Sequence, residues 1–153
     1  MDSIKKQITL LLPAHSAFEK FVNDFNDWWP IEYTWSGDSL KEISVGNKIG
    51  DFCTETGPNG FRVDWGTVTD VQKDKLFSFR WQIGFNRDPI PNPEKASLVT
   101  VTFNPVSDTE TKVELIHSDF RKHGENYQEY LKALDSEKGW DYILCSYGNY
   151  AAK

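Results

Sequence analysis

The sequence is poor in cysteine, in methionine and in long apolar runs. Its 153 residues include 2 Cys and 1 Met, and Cys53 and Cys145 stand far apart, outside any C-x-x-C pattern. This usage argues against a zinc framework and is typical of a reducing compartment, where no disulfide is expected. No stretch approaches the roughly 20 consecutive apolar residues of a membrane span, and the first residues lack the apolar run of a secretion signal. We therefore expect a cytoplasmic protein without a membrane partner.

Clustered basic residues and recognised catalytic motifs are also missing. The chain carries 17 Lys and Arg against 23 Asp and Glu, a net charge of -6, so we expect no nucleic-acid partner. No phosphate loop or nucleophile elbow is visible, and we identify no catalytic residue and no cofactor. His117-Ser118-Asp119 cannot form a triad, because neighbours in a strand point to opposite faces. His117, Asp119 and His123 match no metal-ligand spacing, so no metal site is predicted.

Aromatic residues, in contrast, are abundant. The 6 Trp, 6 Tyr and 10 Phe make up 14% of a chain whose hydrophobic total is 39%. A chain of this length is expected to form one domain, residues 1–153, that buries roughly 70% of its unfolded surface. Wide rings pack less easily into a gap-free core than branched aliphatic side chains do. Composition therefore favours an internal void, and a solid aromatic core without a void is the alternative.

Hydrophobic periodicity predicts the order of the elements. An alternating strand over residues 4–12 ends at Pro13, where a helix is expected to begin, and a short second helix follows with Trp28 and Trp29. Short connections predict an antiparallel meander of strands over 48–55, 61–71, 76–83, 97–103 and 111–118. The segment 84–96 holds three prolines and is predicted to be a mobile loop. Helical spacing returns in 127–134 and 140–151.

Five short motifs, taken in order, resemble a known family: Trp28-Trp29-Pro30, Gly66-Thr67-Val68, Phe79-Arg80-Trp81, the segment Val113 to His117, and Gly139-Trp140. They resemble the START-like helix-grip (SRPBCC) superfamily and, within it, the family named for the activator of the ninety-kilodalton heat-shock protein ATPase. The likeness runs from about Ile4 to Tyr150. It implies an α+β fold in which a curved antiparallel sheet wraps around a long C-terminal helix, with two short helices after the first strand.

The resemblance also implies a site, a cavity between the sheet and the last helix. The residues expected around it are Trp29, Phe52, Trp65, Trp81, Phe103, His117, Trp140, Ile143 and Tyr147. His117 either supplies the polar contact to a ligand or is a core histidine bonded to a neighbour. Whether Phe52 and Trp65 face the cavity depends on the strand phase within residues 48–71, because a one-residue slip turns a side chain to the other face.

Three functions stay open at this point. The first is binding of a small hydrophobic or aromatic ligand, as a carrier or sensor. The second is an enzyme of the polyketide-cyclase or dehydratase type, which needs a second polar group near His117, such as Tyr147 or an inward Arg80. The third is a protein-interaction module or a stress-related co-chaperone-like protein. The eukaryotic co-chaperone of the family has an additional N-terminal domain that this chain does not match. Homodimerisation through an edge strand or an aromatic patch also stays open.

Overall fold

The computed structural model describes residues 2–153, which contain seven strands and four α-helices. In chain order these are β1 (Ile4–Leu10), α1 (Ala14–Val22), α2 (Phe25–Trp28), β2 (Glu42–Ser44), β3 (Phe52–Thr56), β4 (Arg62–Gln72), β5 (Leu76–Trp81), β6 (Ser97–Ser107), β7 (Glu110–Ser118), α3 (Tyr127–Asp135) and α4 (Trp140–Ala151). Single 3-10 turns lie between several of them, including Ile31–Tyr33 and Phe120–His123.

The strands form one antiparallel sheet in the order β1-β7-β6-β5-β4-β3-β2. Strands β2 to β7 are neighbours in sequence and in space, and β1 closes the other edge by pairing with β7. Register shifts interrupt three of the pairings, between β3 and β4, β4 and β5, and β6 and β7, and such bulges bend a strand and increase its twist. The result is a curved half-barrel with a C-terminal helix, so the predicted α+β helix-grip class is confirmed.

Most elements predicted from periodicity are confirmed, and two differ. Strand β2 was not predicted, because three residues are too few to show a period. The strand expected from residue 48 begins only at Phe52. Residues 46–51 turn instead, since the Asp51 carboxylate accepts hydrogen bonds from the backbone N–H groups of Asn47 and Lys48 at 3.2 and 3.1 Å.

Aromatic rings fill the space between the sheet and most of α4. The Tyr147 ring lies 5.0 Å from Phe21 and 5.1 Å from Trp28 between centroids, and its hydroxyl donates to the Ala17 carbonyl at 2.6 Å. At the start of the helix the packing is similar, with the Trp140 ring 5.4 Å from that of Trp81 between centroids. Each such ring contributes roughly 2 to 3 kcal/mol by leaving water. Helix α4 therefore rests directly on rings over this part of its length.

Strand phase between β3 and β4 is set by a bulge. Cys53 pairs with Gly66 and Thr54 with Asp64, which leaves Trp65 as the extra residue on β4. A bulge residue escapes strict alternation, and Trp65 turns inward, where it is 1% exposed. The prediction that Phe52 faces the interior is wrong, because Cys53 occupies the inner face and the period of two turns Phe52 outward, 54% exposed.

The junction between α3 and α4 gives the first testable prediction. A Cβ at Gly139 would lie 2.1 Å from the Leu134 carbonyl oxygen, a backbone atom that cannot move aside. We expect Gly139→Ala to lower the free energy of unfolding by about 3 kcal/mol, measured by urea denaturation.

Gly148→Ala is the matched control within α4. Its new methyl group would meet the Ile8 Cδ1 atom at an ordinary 3.6 Å, and alanine favours a helix interior over glycine by up to about 1 kcal/mol. This variant should therefore be slightly stabilised. Equal losses in the two variants would contradict the close approach at Gly139.

Candidate functional site

A cavity of about 300 Å³ lies at the end of the sheet, next to the start of α4. Its walls come from the last residue of β5 and the segment after it, the loop after α2, helix α3 and the first turn of α4. Six aromatic rings line it: Trp29, Tyr33, Trp35, Trp81, Phe85 and Tyr130. Aliphatic side chains of Ile83, Leu134 and Ile143 complete the apolar surface.

Two of these rings are fixed by hydrogen bonds to each other and to the backbone. The Trp81 indole donates to the Tyr130 hydroxyl at 2.6 Å, and that hydroxyl donates to the Ile83 carbonyl at 2.6 Å. Burial raises the pKa of Tyr130 well above its usual value. The phenol therefore stays protonated near neutral pH, and its proton is already engaged.

The loop that carries Trp35 is held by a buried carboxylate. Glu55 is fully buried, and its two oxygens accept from the backbone N–H groups of Trp35 at 3.1 Å and Ser36 at 2.8 Å. Hydrogen bonds to a charged group are among the stronger ones in proteins. The cavity wall at Trp35 is therefore anchored to β3.

The proline-rich segment after β5 forms another part of the rim and is tied to the rest of the structure. Gln82 exchanges hydrogen bonds with Ile90: the Ile90 N–H donates to the Gln82 carbonyl at 2.9 Å, and the Gln82 side chain donates to the Ile90 carbonyl at 2.8 Å. At the tip, Arg87 donates to the Thr34 carbonyl at 2.9 Å and accepts from the Trp35 indole at 3.2 Å. These bonds bring the segment against the Trp35 loop.

The structure brings three of the nine predicted site residues to this cavity, namely Trp29, Trp81 and Ile143. Phe52 lies on the outer face of β3. The other five are buried in the adjoining core and are not among the residues that line the cavity within residues 2–153: Trp65, Phe103, His117, Trp140 and Tyr147.

His117 lies in a hydrogen-bond network inside the core. Period two along β7 turns it inward, and it is fully buried. Its Nδ1 accepts from the Trp140 indole at 3.0 Å, so the proton of the neutral ring is on Nε2, which donates to Ser97 Oγ at 2.7 Å. The Ser97 hydroxyl in turn donates to His123 Nε2 at 2.6 Å. The sequence left two hypotheses for His117, a ligand contact and a core histidine bonded to a neighbour. The structure supports the second.

The partners that an enzyme would need beside His117 are engaged elsewhere. The Tyr147 hydroxyl donates to a helix carbonyl of α1, as described above. Arg80 alternates with Phe79 and Trp81 and so lies on the outer face, where it pairs with Asp119 at 3.1 Å. Neither Tyr147 nor Arg80 is therefore the second polar group that the enzyme hypothesis requires beside His117.

One surface cluster has the composition of a metal site. The ligand atoms of His15, Glu19 and Asp74 lie within 4.8 Å of one another, and His15 Nδ1 bonds Asp74 Oδ1 at 2.9 Å. The cluster joins α1 to the β4–β5 turn at the surface. A histidine–carboxylate hydrogen bond accounts for the contact without a metal ion.

Sequence reasoning missed most of the cavity wall, including Tyr33, Trp35, Phe85 and Tyr130. These residues come from loops and from a helix that was not placed next to the site, where no period reports which way a side chain points. One signal was present: Tyr33 and Trp35 are large rings in a loop, and loops carry many binding residues.

The curved sheet and C-terminal helix, together with an aromatic cavity at the sheet end, define a helix-grip protein. The model of the family described as "Activator of Hsp90 ATPase homolog 1-like protein" matches residues 25–147. The chain belongs to this family. None of the curated proteins compared with the chain matches it. No helix within residues 2–153 is both long enough and apolar enough to cross a bilayer.

Several solved structures share the fold. The anthrahydroquino-Gama-pyrone synthase Txn09 is 23% identical, with a TM-score of 0.67, over 97% of this chain and 96% of that one. The self-sacrificing resistance protein CalC from Micromonospora echinospora is 20% identical, with a TM-score of 0.70, over 98% and 94%. The Aha1 dimer from Colwellia psychrerythraea is 16% identical, with a TM-score of 0.64, over 99% and 97%.

The histidine network predicts a pH-dependent stability. Burial lowers the pKa of His117 well below 6.5 and that of His123 to about 4. An unfolded chain takes up protons on both rings below about pH 6.5, whereas the folded network does not until the pH is much lower. The stability that neutral rings provide is therefore complete above pH 6.5 and decreases as the pH falls toward 4.

We expect His123→Gln to reduce the slope of unfolding free energy against pH between 6.5 and 5. One histidine accounts for at most about 1.4 kcal/mol per pH unit, and for less where water screens the partly exposed ring. The glutamine carbonyl can still accept from Ser97. Urea denaturation at pH 6.5 and 5 measures the slope, and identical slopes in the two proteins would contradict the assigned network.

Proposed function

We propose that the protein binds a small hydrophobic or aromatic molecule in the cavity at the end of the sheet, as a carrier or sensor. The observation that carries this proposal is the set of six rings around about 300 Å³ of space. Ligand sites in proteins are usually concave, apolar and about 300 to 1,000 Å³ in volume. The cavity is at the small end of that range, which favours a ligand of one to three rings.

The fixed walls support a binding role. Glu55 holds the Trp35 loop, Gln82 holds the proline-rich segment, and Tyr130 is bonded on both sides of its hydroxyl. Rings held in place lose little further freedom when a ligand enters, and preorganisation of this kind reduces the entropic cost of binding.

Binding is favoured over catalysis by the polar groups of the site. A general base needs a pKa near the working pH and must reach the proton that it removes. The buried Tyr130 phenol is protonated near neutrality, and His117 lies in the core behind Trp81, with ring centroids 5.6 Å apart. A polyketide-cyclase-type activity stays the alternative, and the structural relative Txn09 is an enzyme by its name, an anthrahydroquino-Gama-pyrone synthase.

Location and self-association are further parts of this proposal. Free thiols at Cys53 and Cys145 support action in the cytoplasm. A homodimer is supported by the dimeric relative from Colwellia psychrerythraea and by the edge position of β1. Beside that strand, Leu11 is 81% exposed, and an edge of this kind can pair with a second copy.

Filling the cavity tests the binding proposal. Ala133 is an exposed residue of α3 that lines the cavity, so Ala133→Trp places a ring at its mouth without disturbing the core. N-phenyl-1-naphthylamine, a neutral aromatic probe, should bind the unchanged protein with increased fluorescence. We expect the variant to bind it at least about tenfold more weakly, a difference of about 1.4 kcal/mol.

Lys132→Trp is the matched control, because residue 132 is adjacent on the same helix but does not line the cavity within the described residues. It should bind the probe as the unchanged protein does. Both variants should keep the unfolding free energy within about 0.5 kcal/mol, as is usual for surface substitutions. Equal probe affinity in the two variants would rule out this cavity as the binding site.

A further inference from the structure

We propose that the natural ligand is an aromatic anion, with its rings inside the cavity and its carboxylate, sulfonate or phenolate at the mouth, held by Arg87 and Lys138. The inference rests on the proposed function, since it assigns the ligand class of the same cavity. It starts from the charges that the cavity walls present.

Both formally charged residues that line the cavity are cations. Among residues 2–153, Arg87 and Lys138 are lining residues and no Asp or Glu is. The chain as a whole has 23 acidic and 17 basic residues, so a lining with only basic charges runs against its composition. A partly apolar wall strengthens the attraction between these cations and an anion relative to open water.

Neither cation has an acidic partner within the described residues. The ion pairs that Lys and Arg form there use other side chains: Lys5, Lys6, Arg62, Arg80 and Arg121. Arg87 has five N–H donors and uses one nitrogen, on the Thr34 carbonyl. Lys138 bonds through its backbone carbonyl, which accepts a hydrogen bond from the Tyr33 hydroxyl at 2.6 Å, and not through its ammonium group. Donors on both side chains are therefore available to a ligand.

The backbone holds Arg87 at the mouth in an unfavourable conformation. Its φ is 67°, in the left-handed region that favours glycine. The Arg87 N–H donates to the Gly84 carbonyl at 2.9 Å, and the Arg87 carbonyl accepts from the Trp35 indole. Residues kept in this region by surrounding bonds are common at ligand sites. These hydrogen bonds therefore fix the backbone position from which the Arg87 side chain extends, beside the rings.

The two cations come from different walls. Arg87 belongs to the segment after β5, and Lys138 to the turn before α4, next to Gly139. Tyr33 links the Lys138 turn to the Trp35 loop, which in turn bonds Arg87. An anionic group at the mouth can therefore meet positive charge from two segments of the wall while the rings of the same ligand contact Trp29 and Trp81.

Two probes with the same ring system separate charge from apolar contact. 8-Anilinonaphthalene-1-sulfonate carries an anion, and N-phenyl-1-naphthylamine lacks it. We expect Arg87→Gln and Lys138→Gln each to weaken sulfonate binding by roughly fivefold, and to change the affinity for the neutral probe by less than about twofold. Added salt should weaken binding of the sulfonate and not that of the neutral probe.

Lys132→Gln is the control for net charge, since it removes one cation from α3 outside the cavity lining. Arg87→Lys keeps the charge and should retain most of the sulfonate affinity, and thermal melting checks that each variant is folded. The inference is overturned if Lys132→Gln has the same effect as the two mouth variants, or if both probes lose affinity equally. If Ala133→Trp leaves binding of the neutral probe unchanged, the proposed cavity itself is refuted, which is a different outcome.

Discussion

The contact on which the site depends is the one between the first turn of α4 and the interior of the sheet. Trp140 joins them in two ways, by packing its ring on Trp81 and by donating its indole proton to His117. A buried indole N–H without an acceptor would cost about 1 to 3 kcal/mol. The Nδ1 atom of His117 therefore has to stay unprotonated, and helix α4 has to keep its position, for the bond between Trp140 and His117 to form.

This constraint determines where space is left. The rings of α1, α2 and the sheet fill the region below the middle of α4, so a ligand cannot occupy it without displacing them. At the start of the helix, Gly139 allows the chain to turn sharply from α3, and α3 stands beside the sheet end with Tyr130 directed at Trp81. The gap between these elements is the cavity, and its mouth is bounded by loops instead of by strands.

The sequence allowed the framework to be predicted and the site only in part. Alternation and helical spacing identified six of the seven strands and the stripe of α4, because burial on one face leaves a period. The inward turn of Trp65 comes from a bulge, and the outward turn of Phe52 from the strand phase that places Cys53 on the inner face, and neither has a signal in a single sequence. Trp35 and Arg87 line the cavity because hydrogen bonds join their two loops. These bonds form only after the fold has brought distant segments together.

The most direct test of this account is the response of the indole N–H signals to N-phenyl-1-naphthylamine in a two-dimensional ¹H–¹⁵N spectrum. If the ligand site is the cavity at the sheet end, the signals of Trp29, Trp35 and Trp81 shift, while those of Trp28 and Trp65, in the filled core, change little. Large shifts at Trp28 and Trp65 with none at Trp35 would show that the ligand enters beneath the middle of α4, and would contradict the account.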